Sequence, residues 1–291
     1  MKRIILTGSS SGFGWLTAQT LAKQGHIVYA TMRNVSTTNE AMAQKIQRWA
    51  SEHKAAVHVV DLDVTDDASV QAAIDWIVRD AHGQIDVLIN NAGIAITGLN
   101  EALSPAQVNQ LFQVNVLGAD RMIKAVLPYM HPQKSGLLIQ LSSGLARLHL
   151  PFLGAYSATK AAVDTLAETY HYELRSSGID SVIVQPGAYP TTDLIARQAQ
   201  PANPDVEIAY GADVAQIKAG IRHLFTPSAQ SPDPQEVADL IAKLVDMPGG
   251  QRPLWNPVGI GASQPYLEQL NNGTGQLAGA VLNAFGVSVP A

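Results

Sequence analysis

A tyrosine and a lysine lie four residues apart, at Tyr156 and Lys160, near the start of a segment with helical periodicity. Residues at this spacing share one face of a helix. A tyrosine hydroxyl has an ordinary pKa of about 10, so acting as a base near pH 7 requires about 4 kcal/mol of stabilisation of its anion. One cation about 4 Å away, at an effective dielectric near 20, supplies about that much. The pair therefore predicts proton transfer by Tyr156, although the same spacing also occurs in surface helices.

A glycine-rich turn, TGSSSGFG over residues 7–14, follows the first strand-like segment and precedes an apolar helical segment. Glycines at this place allow a tight turn and let a pyrophosphate approach the backbone and the helix N-terminus. The spacing differs from plain GxGxxG, because three residues separate the first two glycines. The position between a strand and a helix predicts a dinucleotide-binding site.

The end of the second strand-like segment, VYATMR over residues 28–33, indicates which dinucleotide is bound. An NAD site would place an acidic residue here to bind the ribose 2′-hydroxyl, and none is present. Arg33 is the first charged residue after the strand and could pair with a 2′-phosphate. NADP(H) is therefore predicted in preference to NAD(H), although Arg33 could also be a solvated loop residue.

Two further strand ends carry candidate contacts to the adenosine half of the cofactor. Asp63 and Val64 follow the third strand-like segment, and NNAG over residues 90–93 follows the fourth. Asp63 could accept a hydrogen bond from the adenine amino group, and the small residues could press against an adenosine. A helix N-cap and an ordinary turn are the alternative interpretations of these two patterns.

The elements that must position these residues alternate along the chain. Strands are predicted at 3–7, 27–31, 57–61, 86–90, 136–142, 180–185 and near 252–256, and helices at 13–24, 38–53, 67–81, 105–130, 155–176 and 234–246. Several of the strands are continuous apolar runs, as expected where helices cover both faces. The alternation predicts an α/β fold with a Rossmann-type, doubly wound parallel sheet of about seven strands and helices on both faces, in a single domain over residues 1–291.

Two segments depart from this alternation. Residues 187–232 contain five prolines and few apolar runs, and we expect them to form a lid over the substrate. Residues 248–291 are rich in Gly, Asn and Pro and form a variable C-terminal tail, for which pocket-building and loosely ordered surface are equally open. Long insertions after the carboxyl ends of strands commonly build binding sites.

The composition disfavours several classes of protein. The 291 residues are 46% hydrophobic and 15% charged with a net charge of −5, so nothing points to a nucleic-acid or anionic-membrane partner. There is no cysteine, hence no disulfide, thiolate metal site or cysteine nucleophile. No apolar run approaches the ~18 residues of a membrane span, and the short run after Met1 does not resemble a signal peptide. A cytoplasmic protein without a metal site is expected.

In their order and spacing, these motifs resemble the short-chain dehydrogenases/reductases over roughly residues 3–187. The features shared with that family are TGSSSGFG, Asp63, NNAG, Asn115, Ser143, YxxxK and Pro186-Gly187. The stretch around Arg33 is similar to the steroid- and retinol-dehydrogenase-like branch. The resemblance implies hydride transfer between NADP(H) and a ketone, aldehyde or secondary alcohol. It also implies a homodimer or homotetramer, with the 105–130 and 155–176 helices often at an interface.

The resemblance further implies a role for each matching residue. Tyr156 would be the general acid/base, Ser143 would bind the substrate oxygen, Lys160 would hold the nicotinamide ribose, and Asn115 would support a water in a proton relay. The implied cofactor contacts are Gly8, Ser10, Ser11, Gly12, Phe13, Gly14, Arg33, Asp63, Val64, Asn91, Ala92, Gly93, Tyr156, Lys160, Pro186, Gly187, Tyr189 and Thr191.

The expected substrate contacts are mostly apolar, which favours a hydrophobic small molecule. They are Ser143, Leu145, His149, Tyr156 and Tyr189, with Ile94, Ala95, Leu150, Phe152 and Leu153 as further candidates. Two other functions stay open on the sequence. One is an isomerase or dehydratase on the same scaffold that retains its cofactor, and the other is a non-catalytic NADP-sensing protein. The intact Tyr156 and Lys160 pair argues against the latter.

Overall fold

Seven parallel strands form one sheet within the computed structural model, which describes residues 1–192, 194–195 and 198–287. The strands are β1 (Arg3–Leu6), β2 (Ile27–Met32), β3 (Val57–Asp61), β4 (Val87–Asn90), β5 (Gly136–Leu141), β6 (Ile179–Pro186) and β7 (Trp255–Val258). Their order is β3-β2-β1-β4-β5-β6-β7. The chain order reverses beside β1, which pairs with both β2 and β4. Ligands of such sheets bind in the crevice at the carboxyl ends of the strands near this reversal.

The helices cover the two faces of the sheet. They are α1 (Gly12–Lys23), α2 (Glu40–His53), α3 (Asp67–Asp80), α4 (Pro105–Phe112), α5 (Gly118–Gln133), α6 (Gly154–Leu174), α7 (Gly211–Leu224), α8 (Gln235–Asp246) and α9 (Gln264–Ala284). Successive strand residues point to opposite faces. Ile4 accordingly packs in a core cluster with α1 and α8, and Ile5 packs in a second cluster with α3 and α5. The predicted Rossmann-type single-domain fold is confirmed.

The helix predicted over 105–130 is interrupted. It begins as predicted after Ser104, whose hydroxyl accepts from the Gln107 backbone N–H. A π-helical turn over Gln113–Leu117 then separates α4 from α5. Such turns insert one extra residue into the helix and are frequent at functional sites. Asn115, a candidate site residue, lies inside this one.

The two segments outside the alternation contain helices that the sequence did not predict. Residues 187–232 hold a 3₁₀ turn over Pro204–Tyr210 followed by α7. The 248–291 segment holds β7 and then α9, a helix of 21 residues that contains three glycines. Each glycine weakens a helix by about 1 kcal/mol relative to alanine, so the pattern looked irregular. Residues 193, 196, 197 and 288–291 of these two segments lie outside the described residues.

Candidate active site

The glycine-rich turn joins β1 to α1 and packs closely against the residues that follow β4. At Gly14 an added Cβ would lie 2.3 Å from the Gly8 carbonyl oxygen. Gly8 has a φ of +69°, and a Cβ there would lie 2.8 Å from the Ala92 Cα. Side chains at these two positions would therefore push the turn apart. Because glycine has no side chain, the backbone of this turn lines the cleft directly.

Hydrogen bonds from the NNAG segment hold this turn in place. The Asn91 Nδ2 donates to the carbonyl oxygens of Thr7 and Gly8 at 2.8 and 2.9 Å. The Thr7 hydroxyl in turn accepts from the backbone N–H groups of Asn91 and Ala92, both at 3.0 Å. Asn91 thus braces the turn directly, besides lining the cleft.

The first turn of α1 suits a phosphate group. Ser11 is the N-cap residue, and its side chain makes no capping hydrogen bond. Gly12 and Phe13, at the start of the helix, line the cleft together with Ser11. An uncapped helix N-terminus offers backbone N–H donors and the positive end of the helix dipole. These residues fit the pyrophosphate of a dinucleotide.

Arg33 and Asp63 mark the far end of the same cleft. Arg33 is exposed and follows β2, and Asp63 follows β3. Asp63 Oδ1 accepts from the backbone N–H and the hydroxyl of Thr65 at 2.9 and 2.7 Å. Burial would raise the pKa of the Asp63 carboxyl, but these hydrogen bonds and the charges of Arg33 and Arg121 hold it below its ordinary value. The Asp63 carboxylate and the Arg33 guanidinium therefore place opposite charges at this end of the cleft.

The acid/base candidates meet at the carboxyl end of β5. Tyr156 and Lys160 lie in the first two turns of α6, and both are buried. Ser143 follows β5, and its hydroxyl accepts from the Leu145 backbone N–H at 3.1 Å and lies near enough to Tyr156 to lower the pKa of that phenol. The Lys160 Nζ donates to the Leu141 carbonyl oxygen at 2.7 Å and lies 5.7 Å from the centre of the Tyr156 ring. Residues far apart in sequence thus form one cluster.

Burial, more than the neighbouring charge, sets the pKa values of this pair. It raises the pKa of the Tyr156 hydroxyl above its ordinary value, and the hydrogen bond with Ser143 offsets part of the rise. Burial also lowers the pKa of the Lys160 ammonium to about 8, although the Asp164 carboxylate opposes the fall. Among the side chains of this site, burial outweighs the lowering of the Tyr156 pKa that was expected from nearby cations; the joint contribution of Lys160 and an oxidised nicotinamide ring stays a prediction. Near neutral pH these side chains favour a neutral phenol beside an ammonium.

Asn115 holds the backbone behind the cluster. Its Oδ1 accepts from the Ile94 N–H, and its Nδ2 donates to the Ile94 carbonyl oxygen, both at 2.9 Å. The Nδ2 also donates to the Thr159 hydroxyl in α6 at 3.0 Å. The side chain is buried and lies behind the cleft wall rather than on it. Its implied role in a water-mediated relay stays a prediction.

One cleft of about 1770 Å³ joins most of these groups. Its size exceeds the 300–1,000 Å³ common for small-molecule pockets, as expected if it accommodates both a dinucleotide and a substrate. The candidate residues on its wall are Gly8, Ser10, Ser11, Gly12, Phe13, Arg33, Asp63, Val64, Asn91, Ala92, Gly93, Ile94, Ala95, Ser143, Leu145, Leu150, Leu153, Tyr156, Lys160, Pro186, Gly187 and Tyr189.

Four other candidates lie off this wall besides Asn115. Gly14 packs against Gly8 instead. His149 is exposed on a loop, and Phe152 is buried behind the cleft wall, in the apolar cluster that also contains Leu153. Thr191 is exposed, and the next residue, Thr192, lines the cleft in its place.

The geometry of one turn explains the shift from Thr191 to Thr192. The backbone N–H and the hydroxyl of Thr192 both donate to the Tyr189 carbonyl oxygen, at 3.0 and 2.8 Å. This turn carries Thr192 towards Gly12, where an added Cβ would be 3.8 Å from the Thr192 Cβ. Tyr189 itself is nearly fully buried, with its ring edge-on to Phe13 at 5.1 Å between centroids. It is a packing residue as well as a wall residue.

Sequence reasoning expected residues 187–232 to form a lid and left the 248–291 segment open, but it named no individual residue of α9 or of the end of α7. Tyr266, Leu267 and Leu270 of α9 line the cleft, as do Leu224 and Phe225. Leu267, Leu270 and Leu277, spaced three and seven residues apart, were the available signal, but the glycines that follow Leu270 obscured it. Within the described ranges, no three His, Cys, Asp or Glu side chains gather as metal ligands would. None of the helices in those ranges could cross a membrane.

Comparisons with known proteins identify the family. A family model described as short chain dehydrogenase matches residues 2–202. A 3-ketodihydrosphingosine reductase from Bacteroides thetaiotaomicron is 39% identical over 188 residues, which is 65% of this chain and 64% of that protein's length. Bovine (Bos taurus) retinol dehydrogenase 8 is 30% identical over 268 residues, covering 87% of this chain and 79% of that protein.

Solved structures of proteins from the same family have a similar fold. A short-chain dehydrogenase from Streptomyces avermitilis has a TM-score of 0.77 and 26% identity, covering 99% of this chain and 98% of that one. A gluconate 5-dehydrogenase from Burkholderia cenocepacia with NADP and tartrate has a TM-score of 0.69 and 26% identity, covering 90% and 95%. A 3-ketoacyl-(acyl-carrier-protein) reductase from Brucella melitensis with NADH has a TM-score of 0.70 and 25% identity, covering 90% and 98%. The chain belongs to the short-chain dehydrogenase/reductase family, whose members are oxidoreductases that act on CH–OH or C=O groups with nicotinamide cofactors.

Proposed function

We propose that this protein is an NADP(H)-dependent oxidoreductase that interconverts a ketone or aldehyde with its alcohol. The observation that carries the proposal is the cluster of Ser143, Tyr156 and Lys160 on the same cleft as the glycine-rich turn. Bound NADPH would supply a hydride to the carbonyl carbon, and NADP⁺ would accept one in the reverse direction. The protein's own task is then to orient the carbonyl and manage one proton.

The side chains fit that task in the direction of reduction. Tyr156 is held neutral by its burial, so it can donate its hydroxyl proton to the substrate oxygen. Ser143 lies beside that hydroxyl, whose pKa it lowers, and would orient the same substrate oxygen. The Lys160 ammonium, 5.7 Å from the Tyr156 ring centre, would stabilise the phenolate left after proton donation. The general acid of such a site contributes about 10²- to 10⁴-fold to the rate.

The preference for NADP(H) rests on Arg33. Its guanidinium lies on the cleft wall just past β2, the position from which a side chain meets the 2′ group of the adenosine ribose. A 2′-phosphate would pair with it through charge-assisted hydrogen bonds. Because Arg33 is exposed, salt should weaken this preference.

The substrate is proposed to be hydrophobic. Beyond Tyr156 the cleft is walled by Leu145, Leu153, Phe225 and Leu267, which come from the loop after β5, the end of α7, and α9. Burying apolar substrate surface among them would contribute about 25 cal/mol per Å². The proposed lid over residues 187–232 is consistent with a hydrophobic substrate. Val214 and Ile221 of α7 pack in one apolar cluster with Leu153, which lines the cleft.

A homo-oligomer and a cytoplasmic location remain proposals. The exposed side chains of Leu277 and Val281 form an apolar strip on α9, whose single charged residue is Glu268. Interfaces between copies of a chain are depleted of charge in this way, so α9 joins the helices around 105–130 and 155–176 as a candidate contact surface. Light scattering during gel filtration would give the mass: two or four chains supports an oligomer, and one chain refutes it.

A screen of ketones, aldehydes and secondary alcohols, followed by NADPH absorbance, tests the function. Tyr156→Phe should lower turnover by about 100-fold or more while leaving the dissociation constant for NADPH within about threefold. Tyr172→Phe is the matched control, because it removes a hydroxyl from the same helix away from the cleft. Turnover by Tyr156→Phe close to that of the control would refute the assignment, and absence of turnover by the wild type on every substrate class would refute the function.

A further inference from the structure

Asp164 is a fully buried carboxylate that the proposed chemistry does not use. It lies in α6 one turn after Lys160 and two turns after Tyr156, with 0% of its surface exposed. No Lys, Arg or His nitrogen lies within 4.0 Å of it among the residues that the structure describes. Burying a carboxylate without a direct ion pair is costly. An apolar residue would be cheaper at this position if packing were its only task.

A chain of hydrogen bonds leads from this carboxylate to the C-terminal helix. The Gln185 Nε2, in β6, donates to Asp164 Oδ2 at 2.9 Å. The Asn271 Nδ2, in α9, donates to Gln185 Oε1 at 2.7 Å. The Arg147 Nε, in the loop after Ser143, donates to Asn271 Oδ1 at 3.3 Å. Gln185 and Asn271 are themselves buried, so four elements of the fold meet in this one chain.

The direction of the chain is fixed by its far end. A guanidinium can only donate, so the oxygen of Asn271 must face Arg147 and its amide nitrogen must face Gln185. Since the Asn271 amide nitrogen then donates to the oxygen of Gln185, the amide nitrogen of Gln185 must face Asp164. Every donor therefore points at the carboxylate, and the polarised chain favours an acceptor, the anion, at its end.

The anion that results lies one helical turn from the lysine of the active site and acts on it through its charge. Burial raises the pKa of Asp164 to about 6, although Ser142, Arg147 and Gln185 stabilise its charged form. The carboxyl is therefore ionised above about pH 6, and its charge raises the pKa of Lys160 against the effect of burial. The other charged group that acts on Asp164 is Glu168, which is paired with Arg147.

We infer that Asp164 is a positioning residue that keeps the Lys160 ammonium charged beneath Tyr156, and that α9 holds it in place through Asn271 and Gln185. This inference rests on the proposed function. It makes the C-terminal helix part of the catalytic framework as well as of the substrate wall. Without the carboxylate, Lys160 would lose its proton at a lower pH, and the alkaline limit of activity would move down with it.

Asp164→Asn tests the inference, since asparagine keeps the shape and an oxygen that can accept from Gln185. In protein carrying ¹³Cε-labelled lysine, the Lys160 resonance, assigned from its loss in Lys160→Arg, should titrate near pH 8. In Asp164→Asn the midpoint should fall by about one pH unit, and the alkaline limb of kcat/KM should fall by the same amount. Glu173→Gln, which removes an exposed carboxylate from the same helix, should leave both unchanged.

Stability separates this role from a structural one. Because the pKa of Asp164 is raised to about 6 in the folded protein, its ionisation lowers the stability of the fold as pH rises from about 4 to about 6, so Asp164→Asn should unfold at the same or a higher temperature at pH 7. Asn271→Leu should move the Lys160 midpoint in the same direction by less, and the double variant no further than Asp164→Asn alone. An unchanged Lys160 midpoint in Asp164→Asn would overturn the inference. The titration needs no turnover, so it decides the matter even if no substrate is found.

Discussion

Gly14→Ala offers a quantitative test of how tightly the dinucleotide turn is built. The added Cβ would lie 2.3 Å from the Gly8 carbonyl oxygen and 2.6 Å from the Asn91 Nδ2. Relief requires the Asn91 side chain or the turn to move by about 1 Å, which would break one of the Asn91 hydrogen bonds to Thr7 and Gly8. Overpacking costs about 1–3 kcal/mol and each lost hydrogen bond about 1 kcal/mol. We expect about 2–4 kcal/mol of destabilisation.

Two other glycines provide controls of graded severity. Gly12 has a φ of +50° but its nearest neighbour would be 3.8 Å from an added Cβ, so Gly12→Ala should cost only the strain of that backbone region, about 1–2 kcal/mol. Gly220 lies exposed in α7 with nothing within 4 Å, so Gly220→Ala should stabilise the protein by about 0.5–1 kcal/mol.

Urea unfolding and NADPH fluorescence titration would measure the effects. For Gly14→Ala, the destabilisation corresponds to a fall in Tm of roughly 6–12 °C in a chain of this size, accompanied by weaker NADPH binding because the wall of the turn moves. Gly220→Ala should bind NADPH as the wild type does. Gly14→Ala with the stability of the wild type, or a less stable Gly220→Ala than Gly14→Ala, would refute the steric reasoning.

Two further predictions concern selectivity. Arg33→Asp should lower kcat/KM for NADPH by about 10-fold or more and raise the ratio of kcat/KM for NADH to that for NADPH. An unchanged ratio would reject the role of Arg33. In the wild type, the preference for NADPH should weaken at 0.5 M salt. Leu267→Ala should lower kcat/KM for long-chain 2-alkanones by about 5- to 30-fold, from about 1–2 kcal/mol of lost apolar contact, with less effect on acetone. Leu277→Ala, exposed on the same helix, is the control, and equal losses for short and long ketones in Leu267→Ala would count against a hydrophobic wall.

The sheet could be predicted from the sequence because its signal is local. Each strand is a short β-branched run between turn residues, and the starts of α3 and α4 carry their own capping residues, Asp66 and Ser104. The helix α9 could not be predicted with the same assurance, because its glycines oppose helix formation and only tertiary packing offsets them. Its buried residues, Leu267 and Asn271, contact partners more than 80 positions earlier in the chain.

The site was predictable to the extent that its residues follow strands. Ser143, Asn91 and Asp63 come just after strand ends, so the parallel topology alone brings them to one edge. Thr192 instead of Thr191 was not predictable, because which residue faces the cleft depends on a turn closed by the Tyr189 carbonyl. Asp164 was not predictable either, since a carboxylate within a helical pattern ordinarily indicates an exposed face.

The helix that carries the chemistry shows why such residues escape pattern analysis. The buried face of α6 includes Tyr156, Ser157, Thr159, Lys160 and Asp164, a polar set where a core helix usually buries aliphatic residues. Polar groups in such a place must find partners or lose their charge. Here both occur: Thr159 and Lys160 bond to backbone carbonyls, while burial moves the pKa values of the Tyr and the Lys in opposite directions. Because this face is polar and buried, it places a neutral proton donor, Tyr156, beside a titratable ammonium, Lys160. The Asp164 carboxylate raises the pKa of that ammonium and so opposes the effect of burial.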